Sequence, residues 1–326
     1  MSEPPMLEVS NLSVAFATSR GTIQAVNGVD FHLRRGETLC LLGESGSGKS
    51  VTLRALMRLL PEPLARVAGR VVLAGEDIYG LPERRVEDLR GKTVSMVFQE
   101  PMLAFDPVYA IGRQIAEVIT RHEGVTRAQA DARALELLEK VQIPSAKQRL
   151  SAYPHEMSGG MRQRAMIALA LACNPAILLA DEPTTALDAT VQMQVLLLLR
   201  RLQAETGMAV MLVTHDIGVA AEMADRVAVM YAGRIVEQGT VAQVLKDPLH
   251  PYSQGLLAST VHAGWKGRRL EAIPGSPPDL IDPPPGCAFA PRCPRRFALC
   301  EKNSPQDTGL TEGRSARCLA LEAQPS

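Results

Sequence analysis

The 326-residue sequence has no excess of charge of either sign, because 35 Lys and Arg residues balance 35 Asp and Glu residues. Proteins that bind nucleic acid over a broad surface usually carry clustered positive charge. The balance therefore argues against nucleic acid as a partner of this chain.

Long apolar segments are also missing. No stretch approaches the ~20 consecutive apolar residues of a membrane-spanning helix, and the nearest candidate, 165–180, is interrupted by Asn174 and Pro175. The N-terminus lacks the charged and then apolar pattern of a secretory signal. We therefore expect a cytosolic chain that reaches a membrane only through partner subunits. The six cysteines of such a chain are not expected to form a disulfide framework.

What the sequence does contain is an alternation of strand and helix patterns. Apolar and polar residues alternate over 7–16, as in a half-buried strand. Helical patterns begin near residue 49 and cover 128–141. Strands that alternate with helices indicate an α/β fold with a mostly parallel core sheet. Apolar runs typical of buried strands occur at 38–42, 94–98, 176–180 and 209–213.

Changes of pattern along the chain indicate its domain organisation. Strand signals vanish between about 101 and 164, which predicts a helical subdomain inserted into the α/β domain. A second change follows Leu257, and the proline-rich segment 274–285 predicts an extended, semi-rigid connector. We therefore predict one domain at 1–257 and an irregular C-terminal extension at 258–326 that contains four of the six cysteines.

The segment from Gly43 to Ser50 fits the phosphate-loop pattern G-x-x-x-x-G-K-[ST] and lies between an apolar strand and a helix, the context that this motif requires. Backbone N–H groups of such a loop surround phosphate oxygens, Lys49 reaches the β- and γ-phosphates, and Ser50 ligates Mg²⁺. A dinucleotide-binding loop is excluded because Val51 stands where that motif has glycine. The predicted ATP-binding residues of the loop are Gly43, Glu44, Ser45, Gly46, Ser47, Gly48, Lys49, Ser50 and Val51.

Two carboxylates follow the apolar run 176–180. Asp181 is placed to hold Mg²⁺, directly or through water, and Glu182 to polarise the water that attacks the γ-phosphate. An acidic pair after a strand is by itself more often a helix N-cap. Its combination with the phosphate loop favours the catalytic interpretation.

The phosphate loop, the acidic pair and a third motif closely resemble those of the ATP-binding subunits of ABC transporters. The third motif is 153–164, which contains Ser158-Gly159-Gly160-Met161 and resembles the signature segment of the family. In the family this segment caps the γ-phosphate of the ATP that the opposite subunit holds, since a helix N-terminus with small residues offers N–H donors to phosphate. Many members have Gln where Met161 stands. The resemblance covers about 7–257 and implies a P-loop ATPase of ABC type with an antiparallel β subdomain at the N-terminus.

The resemblance also implies roles for residues outside these motifs. Gln99 matches the Q-loop glutamine, which contacts Mg²⁺ and the attacking water, and His215 matches the switch histidine near the γ-phosphate. The segment Ala186-Leu187-Asp188 matches the D-loop, which joins the two ATP sites of a dimer. Phe16 lies where the adenine-stacking aromatic of the family falls, although a phenylalanine in a strand can equally belong to the core.

Finer features resemble one branch, the oligopeptide and dipeptide importers. At 104–107 this chain has Ala-Phe-Asp-Pro where the branch commonly has Ser-Leu-Asn-Pro, in the loop that contacts the membrane subunits. The resemblance implies an ATPase subunit that energises peptide import, with nickel, opine or glutathione as alternative cargo. The features of the branch are Phe98-Gln-Glu-Pro-Met102, Tyr153-Pro-His-Glu156, Met230-Tyr-Ala-Gly233 and the segment 250–257.

A soluble ABC ATPase of DNA repair or translation is a further alternative. Such proteins usually have tandem ATPase halves, a long coiled coil or DNA-binding insertions, which this sequence lacks. We therefore expect the partners of an importer: a second ATPase subunit that is similar but distinct, two membrane-spanning permease subunits, and an extracytoplasmic substrate-binding protein that acts through the permeases. The chain would be a peripheral subunit at the cytoplasmic face of the inner membrane, with ATP and Mg²⁺ as its ligands.

Four cysteines of the extension, Cys287, Cys293, Cys300 and Cys318, are candidates for a metal centre. Four thiolates suit zinc or an iron–sulfur cluster, but the spacing lacks the tight C-x₂-C pairs common in structural zinc sites. Free thiols, zinc and a cluster remain open from the pattern alone. Peptide-importer ATPases share such an extension and some hold a [4Fe-4S] cluster there, so the resemblance favours a cluster with zinc as the alternative. Its role would be structural, in a segment with little apolar content.

Overall fold

The computed structural model describes residues 4–185, 187–259, 272–311 and 313–322. These residues divide into two compact units, both discontinuous in sequence. The first unit contains residues 4–7, 32–37 and 72–213, and the second contains 8–31, 38–71 and the described residues from 214 onward.

The strands largely follow the apolar patterns of the sequence. The predicted strands at 38–42, 94–98, 176–180 and 209–213 are confirmed, each within one residue at either end. The described strands are β1 Leu7–Thr18, β2 Gly21–Leu33, β3 Thr38–Leu42, β4 Ala65–Leu73, β5 Glu76–Asp77, β6 Val94–Val97, β7 Ile177–Asp181, β8 Ala209–Thr214, β9 Arg226–Tyr231, β10 Arg234–Thr240, β11 Thr308–Thr311 and β12 Arg314–Ala316.

Both helices that the sequence predicted are present. One begins at residue 49 as predicted, and the helix predicted at 128–141 covers Arg127–Lys140. Among the described residues, no helix combines the length and the apolar character needed to cross a membrane. Short 3₁₀ turns occur at Pro101–Leu103, Pro154–Glu156 and Ala290–Arg292. The described helices are α1 Lys49–Leu56, α2 Glu83–Leu89, α3 Ile111–Glu123, α4 Arg127–Lys140, α5 Ala146–Arg149, α6 Gly159–Ala170, α7 Ala189–Thr206, α8 Ile217–Met223, α9 Val241–Lys246, α10 Pro251–Ala258, α11 Ala298–Lys302 and α12 Leu319–Glu322.

The first unit is built on the parallel strands β6, β7 and β8, in that order. Every residue of these strands is buried, which explains their continuous apolar sequences. Between β6 and β7 the chain forms helices α3 to α6 and no strand. The isoleucines of α3, and Ala130, Ala134 and Leu138 of α4, supply a buried apolar face. The predicted helical insertion is therefore confirmed, and it extends to Ala170.

The second unit contains β3 paired in parallel with β9, and β10 antiparallel to β9. Strands β2, β1 and β4 lie in that order in the separate, antiparallel N-terminal sheet. Helices α8 to α10 pack their apolar residues against β3, β9 and β10. The parallel pairs of the two units confirm an α/β fold with a mostly parallel core sheet, and the antiparallel N-terminal sheet is confirmed as well.

The C-terminal extension is more regular than the sequence predicted. Strands β11 and β12 form an antiparallel hairpin, and β12 pairs with β10 through Ala316 opposite Glu237. The prediction of an irregular extension is therefore wrong for these residues. The physical reason is that β10 offers a strand edge whose backbone N–H and C=O groups need partners, a long-range effect that composition does not reveal.

Candidate functional site

The phosphate loop connects the buried strand β3 to the first turn of α1, as the motif predicts. Gly46 and Gly48 have backbone φ angles of 77° and 107°, a left-handed region that favours glycine. At Gly43 a Cβ atom would overlap the carbonyl oxygen of Met230, and at Gly48 it would overlap that of Ala25. Glycine is therefore required at position 46 by conformation, at position 43 by space, and at position 48 by both.

The side chains of the loop are arranged around its interior. The Lys49 side chain is only 4% exposed, and its Nζ donates to the carbonyl oxygens of Gly43 at 2.8 Å and Glu44 at 2.9 Å. The hydroxyl of Ser47 is buried and has no hydrogen-bond partner among the described residues. Ser50 and Val51, in the first turn of α1, are half-buried. A buried ammonium and an unsatisfied hydroxyl beside inward-facing backbone fit a phosphate group.

The acidic pair lies at the end of β7 in the first unit. Asp181 is 2% exposed, and the backbone of Glu182 has φ 45°, which for a residue with a side chain costs about 1–3 kcal/mol. The N–H of Glu182 donates to the Val213 carbonyl oxygen at 3.0 Å, which helps to hold that conformation. Backbone strain of this kind is often retained at functional sites.

The Glu182 carboxylate is held by two side chains. Its Oε2 accepts a hydrogen bond from Gln99 Nε2 at 3.2 Å and another from the Thr185 hydroxyl at 2.8 Å. The structure thus brings together Gln99 and Glu182, which were predicted as site residues from two different motifs. Thr185 was missed, and a hydroxyl three residues after the carboxylate is the signal that could have identified it.

The signature segment lies at the start of α6. Ser158 is the N-cap of this helix and accepts from the Met161 N–H at 3.3 Å. Ser158 and Gly159 are exposed, and a Cβ atom at Gly159 would meet nothing within 4 Å. The helix N-terminus is therefore open to solvent at Ser158 and Gly159.

The D-loop residues lie before α7. Asp188 is the N-cap of α7, where its Oδ1 accepts from the N–H groups of Thr190 at 3.1 Å and Val191 at 3.0 Å. Leu187 is half-buried. Ala186, the first residue of the predicted D-loop, lies outside the described residues.

Two further candidates lie in the second unit with the phosphate loop. His215 is exposed at the end of β8, directly before Asp216, which caps α8 by accepting from the Gly218 N–H at 2.7 Å. Phe16 lies in β1 and is half-buried, so it is absent from the fully buried core. Phe16 is therefore partly accessible to solvent.

The four cysteines of the extension are free thiols in the second unit. Burial raises the pKa of Cys287, Cys293 and Cys318, and the neighbouring thiols raise the pKa of each further. Backbone N–H groups that donate toward these three sulfur atoms oppose the shift. In the described part of the chain, however, no three His, Cys, Asp or Glu side chains lie at the spacing that a metal ion requires.

The other two cysteines, Cys40 and Cys173, are buried. Burial raises the pKa of Cys40 to about 12 and that of Cys173 to about 11. Thiols with such high pKa values stay protonated, and they pack as small apolar groups.

The sequence of this chain matches two known protein families. Residues 26–185 match the family described as ABC transporter, and residues 236–300 match the family described as oligopeptide/dipeptide transporter, C-terminal region. The chain is 47% identical over 314 residues to the dipeptide transport ATP-binding protein DppD of Bacillus subtilis (strain 168), covering 96% of this chain and 94% of that protein. It is 51% identical over 289 residues to the oligopeptide transport ATP-binding protein OppD of the same organism, covering 88% and 81% of the two chains.

Solved structures show the same fold. The ATP-binding cassette MJ0796, in a dimeric post-hydrolysis state bound to ADP and Pi, has a TM-score of 0.65 and 28% identity and covers 72% of this chain and 99% of its own. The match to the first family includes the phosphate loop, Gln99, the signature segment and Glu182. The chain therefore belongs to the ATP-binding subunits of ABC transporters, within the branch that has the oligopeptide/dipeptide transporter C-terminal region.

Proposed function

We propose that this chain hydrolyses ATP to drive the import of dipeptides or oligopeptides. The relatives DppD and OppD are named as dipeptide and oligopeptide transport proteins, and each aligns with most of this chain. The C-terminal region that matches the oligopeptide/dipeptide transporter family supports the same cargo class. Nickel, opines and glutathione remain the alternative cargo that a transport assay has to distinguish.

The phosphate loop is the observation that carries the ATP-binding part of the proposal. Its backbone N–H groups and the Ser47 hydroxyl bind phosphate oxygens, and Lys49 moves from its carbonyl partners to the β- and γ-phosphates. Ser50, Gln99 and Asp181 supply the oxygen ligands for Mg²⁺, which when bound offsets the charge of the phosphates. The half-buried ring of Phe16 stacks on the adenine.

The Glu182 carboxylate acts as the general base in this proposal. It accepts a hydrogen bond from the attacking water and orients that water toward the γ-phosphate. Gln99 and Thr185 hold the carboxylate in place through their hydrogen bonds to Oε2. His215 contacts the γ-phosphate and completes the catalytic set of Gln99, Glu182 and His215.

A second ATPase subunit completes each ATP site. The open N-terminus of α6, with Ser158 and Gly159 exposed, suits the γ-phosphate of an ATP molecule that another subunit holds. Gly160 and Met161 extend this signature surface, and the D-loop residues 186–188 link the two sites. The related cassette MJ0796 was solved as a dimer. The partner in this transporter is a similar but distinct chain.

The segment after Gln99 is the proposed contact with the permease subunits. Leu103 is 72% exposed and Val108 is 66% exposed, and the neighbouring Met102 and Tyr109 also present apolar surface to solvent. Exposed large apolar side chains grouped on one segment mark an interaction surface. The two permease subunits lie in the inner membrane, so binding to them at this surface holds the chain at the cytoplasmic face. The substrate-binding protein acts on the permeases from the other side of the membrane.

We further propose that Cys287, Cys293, Cys300 and Cys318 hold a [4Fe-4S] cluster, with Zn²⁺ as the alternative. The Cys287 N–H donates to the Cys300 carbonyl oxygen at 2.8 Å, and neighbouring thiols raise the pKa of Cys287, Cys293 and Cys318, which supports a grouping of the four side chains. N–H groups directed at sulfur are typical of metal-bound thiolates. The thiols must approach further than they do in the structure. Iron, sulfide and zinc analysis of the anaerobically purified chain tests this: zinc alone would exclude the cluster, and neither metal would exclude both.

The transport proposal is tested with the assembled complex in lipid vesicles. ATPase activity is measured with the substrate-binding protein present and with a dipeptide mixture, an oligopeptide mixture, Ni²⁺, an opine or glutathione added in turn. We expect stimulation and uptake with one of the peptide mixtures. Stimulation by Ni²⁺, the opine or glutathione alone would contradict the peptide assignment.

A further inference from the structure

Arg292 is a buried arginine of the cysteine-bearing segment, and its guanidinium contacts the phosphate loop. The side chain is 5% exposed. Its Nη1 donates to Glu44 Oε2 at 2.8 Å, and its Nη2 donates to Glu44 Oε1 at 3.1 Å. Two parallel hydrogen bonds of this kind are the strongest geometry available to an arginine and a carboxylate.

The rest of the guanidinium is fixed as well. Its Nε donates to the Pro274 carbonyl oxygen at 2.9 Å, and Nη2 donates to that of Ile273 at 3.3 Å. Nη1 also donates to the Tyr231 hydroxyl at 3.4 Å. An arginine has five N–H donors, and with the two bonds to Glu44 all five have acceptors. The orientation of Arg292 is therefore determined by its surroundings.

Glu44 is the loop residue whose backbone contacts the side chain of Lys49. Its carbonyl oxygen accepts from Lys49 Nζ at 2.9 Å and from the Ser47 N–H at 3.3 Å. Its own N–H donates to the Tyr252 hydroxyl at 3.0 Å. A change in the position of the Glu44 side chain would therefore move the peptide groups that form the phosphate-binding surface.

The segment that presents Arg292 is itself anchored in the core. Arg292 ends the 3₁₀ turn Ala290–Arg292, and the preceding Phe289 is 2% exposed. The Phe289 ring lies 5.3 Å from that of Tyr231 and 5.4 Å from that of Tyr252, both in edge-to-face arrangement. These ring contacts anchor the turn that carries Arg292 to the core beside the loop.

Stability alone is a weak explanation of this ion pair. Burying a charged pair often gains little, because desolvation opposes the attraction. The Glu44 side chain is 29% exposed, so water would solvate it without Arg292. What Arg292 adds is a defined orientation of the carboxylate, and with it of the loop backbone.

We propose that Arg292 is a positioning residue for ATP binding, which holds the Glu44 end of the phosphate loop in its binding conformation before ATP arrives. The proposal rests on the assignment of 43–51 as the ATP-binding loop. Because the loop is already ordered, less conformational entropy is lost on binding. The C-terminal extension thereby contributes directly to nucleotide affinity.

The test compares Arg292→Met with Arg296→Met, an exposed arginine of the same segment, in the full-length chain. Calorimetric titration with MgATP should show a Kd increased about tenfold for Arg292→Met. The Arg296→Met control should bind as the unsubstituted chain does. In the assembled transporter, Arg292→Met should raise the KM for ATP by a similar factor while kcat at saturating ATP stays within about twofold.

A double variant separates positioning from a general loss of stability. Glu44→Gln should weaken binding by itself and add little in the Arg292→Met background, since the interaction is already lost. Unchanged affinity in a folded Arg292→Met chain would overturn the proposal, and where that chain does not fold, unchanged affinity of Glu44→Gln would overturn it. Lys49→Ala tests the loop assignment separately, because full ATP binding by that variant contradicts the proposed function itself.

Discussion

The Gln99 side-chain amide donates to the Glu182 carboxylate, with 3.2 Å between Nε2 and Oε2. Gln99 follows β6 and Glu182 follows β7, and the parallel pairing of these strands brings their carboxyl ends to one edge of the sheet. The Thr185 hydroxyl donates to the same oxygen at 2.8 Å. Two donors on one oxygen fix the rotamer of the proposed base before any water binds.

Glu182→Gln should keep ATP binding and nearly abolish turnover. The amide has almost the shape of the carboxylate and still accepts from Thr185, but it cannot take a proton from water. We expect kcat to fall by about 10²–10⁴. Steady-state ATPase assays and MgATP titration measure the two quantities, with the exposed Glu87→Gln as control. Activity close to that of the control would remove Glu182 from the role of base.

Thr185→Val should lower kcat without changing the affinity for ATP. The substitution removes one of the two hydrogen bonds that orient Glu182 and nearly conserves side-chain volume. We expect a loss of about tenfold in kcat with an unchanged KM. Thr190→Val, on the exposed first turn of α7, is the matched control. A rise in KM with normal kcat would show that Thr185 acts on ATP binding instead.

Gly48→Ala should abolish ATP binding, whereas Gly36→Ala should not. Both glycines have positive φ angles, of 107° and 69°. A Cβ atom at Gly48 also overlaps the Ala25 carbonyl oxygen, while one at Gly36 meets nothing within 4 Å. The alanine at position 36 should therefore cost about 1 kcal/mol of stability alone. MgATP titration and urea unfolding distinguish the two effects, and equal binding by both variants would contradict the loop geometry.

His250 should make the fold sensitive to acid. The residue is 2% exposed, its Nδ1 accepts from the Tyr252 N–H at 3.0 Å, and burial lowers its pKa from 6.5 to about 4. Between these two values the unfolded chain binds more protons than the folded chain. The free energy of unfolding therefore falls as the pH is lowered from about 6.5 toward 4, by roughly 2 kcal/mol at pH 5.

His250→Asn should remove this part of the acid sensitivity. Asparagine can accept from the Tyr252 N–H as a helix N-cap, but it does not titrate. Urea unfolding at pH 7 and pH 5 should show that the variant loses roughly 2 kcal/mol less than the unsubstituted chain. The buried Glu237, whose pKa burial raises, is present in both chains and cancels in the comparison. The exposed His155→Asn serves as control, and an equal loss in all three chains would contradict the prediction.

The parts of the site that are continuous in sequence could be predicted from it. The glycine spacing of 43–48 is a requirement of the local backbone, and an apolar run followed by Asp181 and Glu182 reports a buried strand end. The parallel core and the helical insertion were predictable for the same reason, since each element has its own periodicity.

Contacts between distant segments could not be predicted. Arg292 and Glu44 are 248 positions apart, and a lone arginine among cysteines and prolines has no pattern that indicates a buried partner. The sequence marks His250 only as part of the family segment 250–257, and its buried surroundings include Glu237 of β10 and Phe289, which belong to other segments. The state of the four cysteines stays a prediction, because thiol spacing along the chain does not determine thiol spacing in space.

Phe289 has a consequence for how this protein can be dissected. Its ring belongs to the same core cluster as Tyr231 and Tyr252, although it lies more than thirty positions after α10 ends. A chain truncated after residue 257 would expose to water the faces of those two tyrosines that Phe289 covers, and the free energy of burying that apolar surface would be lost. Chimeras that exchange C-terminal regions between transporters would meet the same difficulty, unless the tyrosines are exchanged together with the tail.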